Sequence, residues 1–215
     1  MTAINTFVRE SGVYFVVDGA TYLPSFGGNP ARTGRMAKVH HIPWLGAAFA
    51  ITGPVMATFC LGPLIGDSLA GDFDEFTAEF PDLLRRGAGD MSRAGQGHLF
   101  SPCEVVIGGW SNARERYEAY AVSTDGGVSN GKPAFTLRPV TKYIRPYPPA
   151  AVGAVFEAEH AARDGMRILE MQRQANVESI DGKRVNGAIG AFAQLAHLTR
   201  EGMTSKLIGV FEDAA

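Results

Sequence analysis

The sequence predicts an α+β fold: a four-layer αββα sandwich of two antiparallel sheets with helices outside, built as one domain over residues 1–215. Two observations carry this. Hydrophobic periodicity along the chain reads as strands, then two helices, then strands, one long helix, and strands again, an order that suits two stacked sheets covered by helices. The length of 215 residues suits a single core, and a chain of that size hides roughly 70% of the surface its unfolded form exposes.

The elements follow in order. Ala3 to Val8 and Val13 to Val17 are short apolar runs around Arg9-Glu10-Ser11-Gly12, a hairpin signal with glycine where positive φ is often required. Ser25 to Arg35 reads as a looser segment, with Gly27-Gly28-Asn29-Pro30 as loop chemistry. Lys38 to Ile42 forms a third strand and Gly46 to Thr52 a fourth, buried on both faces. After Gly53, Pro54 sits well in the first turn of a helix, with Met56, Phe59, Cys60 and Leu64 at helical spacing. A second helix covers Phe73 to Arg86, its stripe made of Phe73, Phe76, Phe80 and Leu83 or Leu84. Glu104 to Trp110 and Tyr117 to Ser123 are strands joined by a polar turn, and Asp125-Gly126-Gly127 closes that unit. Asn130 to Pro149 carries five prolines and reads as extended or looped. Val155, Ala158, Ala162, Met166 and Leu169 mark a helix reaching about Gln174. Phe192–Thr199 and Lys206–Phe211 flank Arg200-Glu201-Gly202 as a final hairpin, in preference to a helix through Val185, Ile189, Phe192 and Ala196 that Gly187 and Gly190 would break.

Composition narrows function. A net charge of −2, with basic residues scattered, gives no electrostatic reason for a nucleic acid or an anionic membrane as partner. Cys60 and Cys103 are expected to be buried free thiols of a reducing compartment. Met1 to Val8 lacks the basic start and apolar run of a signal peptide. The apolar stretch Trp44 to Ile65 is interrupted by Gly46, Gly53, Pro54, Gly62 and Pro63, so it reads as strand plus helix rather than a membrane span. A cytoplasmic location is expected. His40 and His41 are adjacent on a strand and point to opposite faces, so they cannot chelate one metal. No phosphate loop or dinucleotide fingerprint is present, and neither a metal nor another cofactor is expected. Gly109-Trp110-Ser111-Asn112-Ala113 imitates a nucleophile elbow, but it joins two strands rather than a strand and a helix.

One constellation carries chemistry. Thr2 precedes a hairpin ending in Val17-Asp18-Gly19, Lys38-Val39 opens the next strand, and Gly53 follows the apolar run Ala47 to Thr52. This arrangement resembles the N-terminus of proteasome-type Ntn-hydrolases, the bacterial proteasome-like peptidases and proteasome β subunits. The Thr2-to-Asp18 spacing agrees with that family, and the Asp18-to-Lys38 loop is a few residues longer. The resemblance implies an N-terminal-threonine hydrolase of amide bonds, acting on peptides or small amides in a self-compartmentalised homo-oligomer. It carries over Thr2, Asp18, Lys38 and Gly53, and no further residues.

The chemistry needs those residue types together. A threonine hydroxyl is a poor nucleophile without a base in reach. Once Met1 is removed, the α-amine of Thr2 can be that base, because it titrates near 7.7–8.0. Lys38 would lower the amine's pKa and stabilise the alkoxide, Asp18 would hold Lys38, and a backbone N–H at Gly53 would meet the oxyanion. The alternative from another class is a catalytically inactive structural or assembly subunit, such as a phage component, that keeps the fold.

Overall fold

The computed structural model describes residues 3–23, 31–126, 133–147, 153–175, 177–178, 184–185 and 189–212. Two five-stranded antiparallel sheets stack face to face with helices on both outer sides, which is the expected sandwich. The first sheet runs β10 (Lys142–Arg145), β1 (Ile4–Arg9), β2 (Gly12–Asp18), β13 (Phe192–Thr199), β14 (Gly202–Val210). The second runs β5 (Val39–Ile42), β6 (Ala47–Thr52), β7 (Glu104–Ser111), β8 (Arg116–Ser123), β9 (Arg138–Pro139), and the short strands β11 (Val177–Glu178) and β12 (Arg184–Val185) pair with each other.

Strand alternation builds the layers. In β1 and β2, Ile4, Val13, Phe15 and Val17 point between the sheets, where they meet Ala48, Ala50, Val106 and Ala121. Phe7, Tyr14 and Val16 point the other way, toward α3 (Ala161–Gln174). The hairpin turns at Gly12, whose φ of +144° favours glycine and whose Cβ would fall 2.4 Å from the Leu198 carbonyl oxygen.

The second sheet's outer face is covered by α1 (Val55–Gly66) and α2 (Phe73–Arg93). Asp72 caps α2 by accepting from the Glu75 amide at 2.9 Å. Its expected stripe, Phe73, Phe76, Phe80, Leu83 and Leu84, is fully buried, each side chain contributing roughly 1.5–3 kcal/mol of burial. The helix runs one to two turns past Arg86.

Two expectations need correction, and two are sharpened. Ala31–Arg35 is not loop but a strand, β4, paired antiparallel with β3 (Ala20–Leu23); the expected loop residues Gly27 to Pro30 lie outside the described residues. Within the proline-rich segment, β9 pairs with β8 and β10 pairs with β1, so residues 138–145 bridge both sheets along one edge, where a strand tolerates Pro139. In α1 the face against the sheet is Ala57, Leu61 and Ile65, with Cys60 and Leu64 half-buried; Met56 and Phe59 are exposed. The last helix begins at Ala161, not Val155, because the Asp164 carboxylate accepts the Glu157 amide at 3.0 Å and turns the chain there. Val155 is exposed, and the buried face is Ala161, Gly165, Ile168, Leu169 and Gln172. The final hairpin forms as expected, with β14 starting at Gly202. Residues 44–65 are a short turn, β6 and α1. No helix among the described residues is long and apolar enough to cross a membrane.

Candidate active site

Asp18 ends β2 with its side chain fully buried. Its Oδ1 accepts the Ala3 amide at 2.8 Å and the Lys38 ammonium at 2.9 Å. Its Oδ2 accepts the Ala20 amide at 3.2 Å and the Gly190 amide at 3.3 Å. The start of β1, the turn after β2, the entry to β5 and the segment before β13 therefore converge on one carboxylate. Charge-assisted bonds of this kind are roughly twice as strong as neutral ones.

Lys38 precedes β5 and is 4% exposed. Burial pulls its pKa below the ordinary lysine value, while the charge and hydrogen bond of Asp18 work in the opposite direction. The ammonium and the carboxylate are both buried, and the carboxylate also takes the amide of Ala3, the first described residue. Thr2 itself lies outside the described residues, and Ala3, the next residue along, is the one bonded to Asp18.

Gly53 forms the corner between β6 and α1. Its φ is +138°, and a Cβ there would lie 2.7 Å from Cys103 Cβ and 2.8 Å from the Pro102 carbonyl oxygen. Only glycine fits. Pro54 follows as the N-cap of α1. Cys103 is no rival nucleophile: burial and the Glu104 charge push its thiol up to about 12, against the opposing hydrogen bond with Thr124.

Sequence reasoning missed a second buried ionic group nearby. Glu104, the first residue of β7, is 2% exposed. Arg138 Nη2 donates to its Oε1 at 2.7 Å, and Arg145 Nε stands 3.6 Å from its Oε2. The one available signal was a glutamate opening an otherwise apolar strand, a position that usually belongs to a solvated charge.

The weaker motifs settle into structural places. Ser111 donates to Asp74 Oδ1 at 2.7 Å and accepts the Arg114 amide at 3.1 Å, which secures the β7–β8 turn to α2. His40 stacks on Phe49 with ring centroids 4.8 Å apart. Both cysteines are free thiols. Among the described residues no group of three or more His, Cys, Asp or Glu side chains is placed to hold a metal ion.

No protein-family model and no curated protein matches the sequence. Solved structures do match in shape. The Gly-1 mutant of Anbu from Hyphomicrobium sp. strain MC1 is similar with a TM-score of 0.69 at 15% identity, over 97% of this chain and 87% of that one. Anbu (ancestral beta-subunit) from Yersinia bercovieri is similar with a TM-score of 0.65 at 11% identity, over 97% and 88%. Anbu from Hyphomicrobium sp. strain MC1 in a second crystal form gives 0.63 at 14% identity, over 98% and 88%. At such identities the likeness speaks of the fold alone: this chain shares the two-sheet sandwich architecture of the Anbu structures.

Proposed function

We propose that this chain is an N-terminal-threonine hydrolase of amide bonds, proteasome-like, active once Met1 is removed and working as a homo-oligomer on peptides or small amides. The single observation that carries the reading is the sharing of Asp18 Oδ1 by the Ala3 amide and the Lys38 ammonium. One residue of chain spans at most about 3.6 Å. The nitrogen of residue 2 therefore stays within about 6 to 7 Å of that oxygen by covalent geometry alone. A processed α-amine would sit in the field of the Lys38–Asp18 pair.

Each group then has a role. The neutral amine takes the Thr2 hydroxyl proton, and the oxygen attacks the substrate carbonyl carbon. Lys38 lowers the amine's pKa and supplies counter-charge to the developing alkoxide. The Gly53 corner offers a backbone N–H to the oxyanion, a donor typically worth about 3–4 kcal/mol. The ammonium so formed returns its proton to the leaving amine, and water then attacks the ester on Thr2 and frees the acid.

The test is processing. Met1-free protein is expected to hydrolyse small peptide amides, and protein retaining Met1 is expected to be inert. Thr2→Ala should abolish turnover without loss of folding, whereas Thr2→Ser should retain part of it because the hydroxyl survives. Folded, assembled, Met1-free protein that neither turns over such substrates nor reacts with threonine-directed electrophiles would make the chain a structural subunit instead.

A further inference from the structure

The first sheet ends in its longest strand. β14 spans nine residues, and among the described residues it pairs on one side only, with β13. Met203, Ser205 and Leu207 share its face toward the second sheet, as strand alternation requires. Met203 packs on the cluster between the sheets, and Gln194 Nε2 donates to Ser205 Oγ at 2.7 Å. Leu207 is 63% and Val210 65% exposed, so the second sheet leaves this end of the strand uncovered. Strand edges are usually blocked by charges, proline or bulges. β14 has no proline and a single charge, Lys206, and its one break in register lies opposite Ala193 and Gln194, past Leu207. The hairpin also tells which backbone groups are free. Only Arg200 and Glu201 separate the strands, and Thr199 pairs with Gly202. In such a hairpin the closing pair exchanges backbone bonds, and every second pair after it does the same. Gly202, Thr204 and Lys206 therefore turn their amides and carbonyls to β13, whereas Met203, Ser205 and Leu207 turn theirs outward.

We propose that β14 is a contact between two copies of this chain, pairing antiparallel with itself across a two-fold axis at Ser205. The choice of axis follows from the side chains. An axis at Lys206 sets two like charges directly opposite each other, which is destabilising. An axis at Thr204 sets Met203 against Ser205 and leaves Leu207 facing the turn. An axis at Ser205 puts Met203 of each copy opposite Leu207 of the other, apolar against apolar, and Lys206 opposite Thr204. It also bonds the outward-turned groups of Met203, Ser205 and Leu207 to one another. The edge is thus complementary to itself, as a two-fold contact demands, and this match selects a second copy over a foreign extended peptide. The paired strip is about 25 Å long. With both side-chain layers it covers on the order of 500 Å² per copy, near the lower limit for a specific interface. The contact rests on the homo-oligomer proposed above and names one of its interfaces; it does not depend on the hydrolase chemistry.

Sedimentation velocity of the full chain over a range of concentrations reads the contact. The wild type is expected to form an even-numbered oligomer. Leu207→Lys is expected to weaken association about a hundredfold, because each contact loses two apolar side chains. Leu207 is already mostly exposed, so that variant should keep its melting temperature. The register is read by air oxidation of Ser205→Cys and Thr204→Cys, with the wild type as control for Cys60 and Cys103. Across the axis, position 205 meets itself at about 5.5 Å between Cα atoms, within disulfide reach. Position 204 meets itself only diagonally, at about 7–8 Å, beyond that reach. Ser205→Cys should therefore crosslink and Thr204→Cys should not. If Ser205→Cys fails to fold, Leu207→Lys decides alone. A monomeric wild type, a monomer that takes only a foreign peptide on this edge, or a Thr204→Cys crosslink as efficient as that of Ser205→Cys would each overturn the contact. An oligomer unmoved by Leu207→Lys would remove this contact and leave the assembly standing. A Leu207-dependent pair in Met1-free protein without turnover would keep the contact and sink the hydrolase.

Discussion

Two of the ion clusters among the described residues differ in almost every respect. The inner one is Lys38 on Asp18, with the ammonium 5% and the carboxylate 0% exposed. The outer one gathers Asp74 from the first turn of α2, Arg114 from the β7–β8 turn, and Arg116, Glu118 and Tyr120 from β8. Glu118 accepts from Arg114 Nε at 2.8 and 2.9 Å, from Arg116 Nε at 2.8 Å and from Tyr120 at 2.6 Å. Arg114 also reaches Asp74 at 2.7 Å. By bond count the outer cluster looks stronger. Yet Arg114 is 41% and Arg116 68% exposed, so water and salt replace most of what is lost when one partner goes. Nothing replaces a lost partner at Asp18. Burial, more than the number of bonds, separates the two: the outer cluster fixes a turn, and the inner pair ties the start of β1 and the entry to β5 to the end of β2.

Lys38→Ala tests that contrast most severely. It leaves the buried Asp18 carboxylate without its counter-charge, a change that typically costs 3–5 kcal/mol. The urea midpoint should fall accordingly. If the processed protein is an enzyme, its rate should drop by orders of magnitude, because the amine's pKa rises and the alkoxide loses its cation. A stability loss below about 1 kcal/mol would place the inner pair in the same class as the outer one.

Gly53→Ala comes next in size. The new methyl would meet Cys103 Cβ and the Pro102 carbonyl at a φ of +138°, and strain of this kind costs of order 1–3 kcal/mol. The β6–α1 corner should shift, and with it any oxyanion donor. The expected outcome is a lowered melting temperature and, if the processed protein is an enzyme, a larger fall in kcat than in substrate binding.

How far the sequence disclosed these regions depends on whether local signals agreed with packing. The β1–β2 hairpin, α2 and the β13–β14 hairpin were legible because each has an apolar face with a clear period and a glycine or capping aspartate at its boundary. Asp18, Lys38 and Gly53 were legible only as a spaced set. Helix α1 was legible as a helix, but its facing was not: Val55 to Gly66 contains no charged residue, so no polar side marks which stripe is inside. Strands β9 and β10 were hidden by prolines in a segment without alternation, because their pairing comes from the edges of two sheets rather than from their own residues. Glu104 was hidden for a related reason. Its partners lie 34 and 41 positions away, and only the fold brings Arg138 and Arg145 to it.

The smallest effect is expected at the outer cluster, and it has a defined pH window. Burial pushes the Glu118 carboxyl up, but the hydrogen bonds from Arg114, Tyr120 and Arg116 outweigh it and hold the pKa at about 2, against 4.5 for an ordinary glutamate. Because the folded value is depressed, the unfolded chain binds the proton first. The contribution is therefore complete above pH 4.5 and is lost as pH falls from 4.5 through about 2. Solvent around Arg114 and Arg116 trims it to about 1 kcal/mol. Urea unfolding of the wild type between pH 5 and pH 2 should thus lose about 1 kcal/mol more than unfolding of Glu118→Gln, which has no carboxyl to protonate. Raising the salt should shrink that difference, while leaving the cost of Lys38→Ala nearly unchanged because ions do not reach the buried pair. Parallel pH curves for wild type and Glu118→Gln would mean that the outer cluster sets geometry without contributing stability. A Lys38→Ala cost that also faded with salt would erase the distinction between the two clusters.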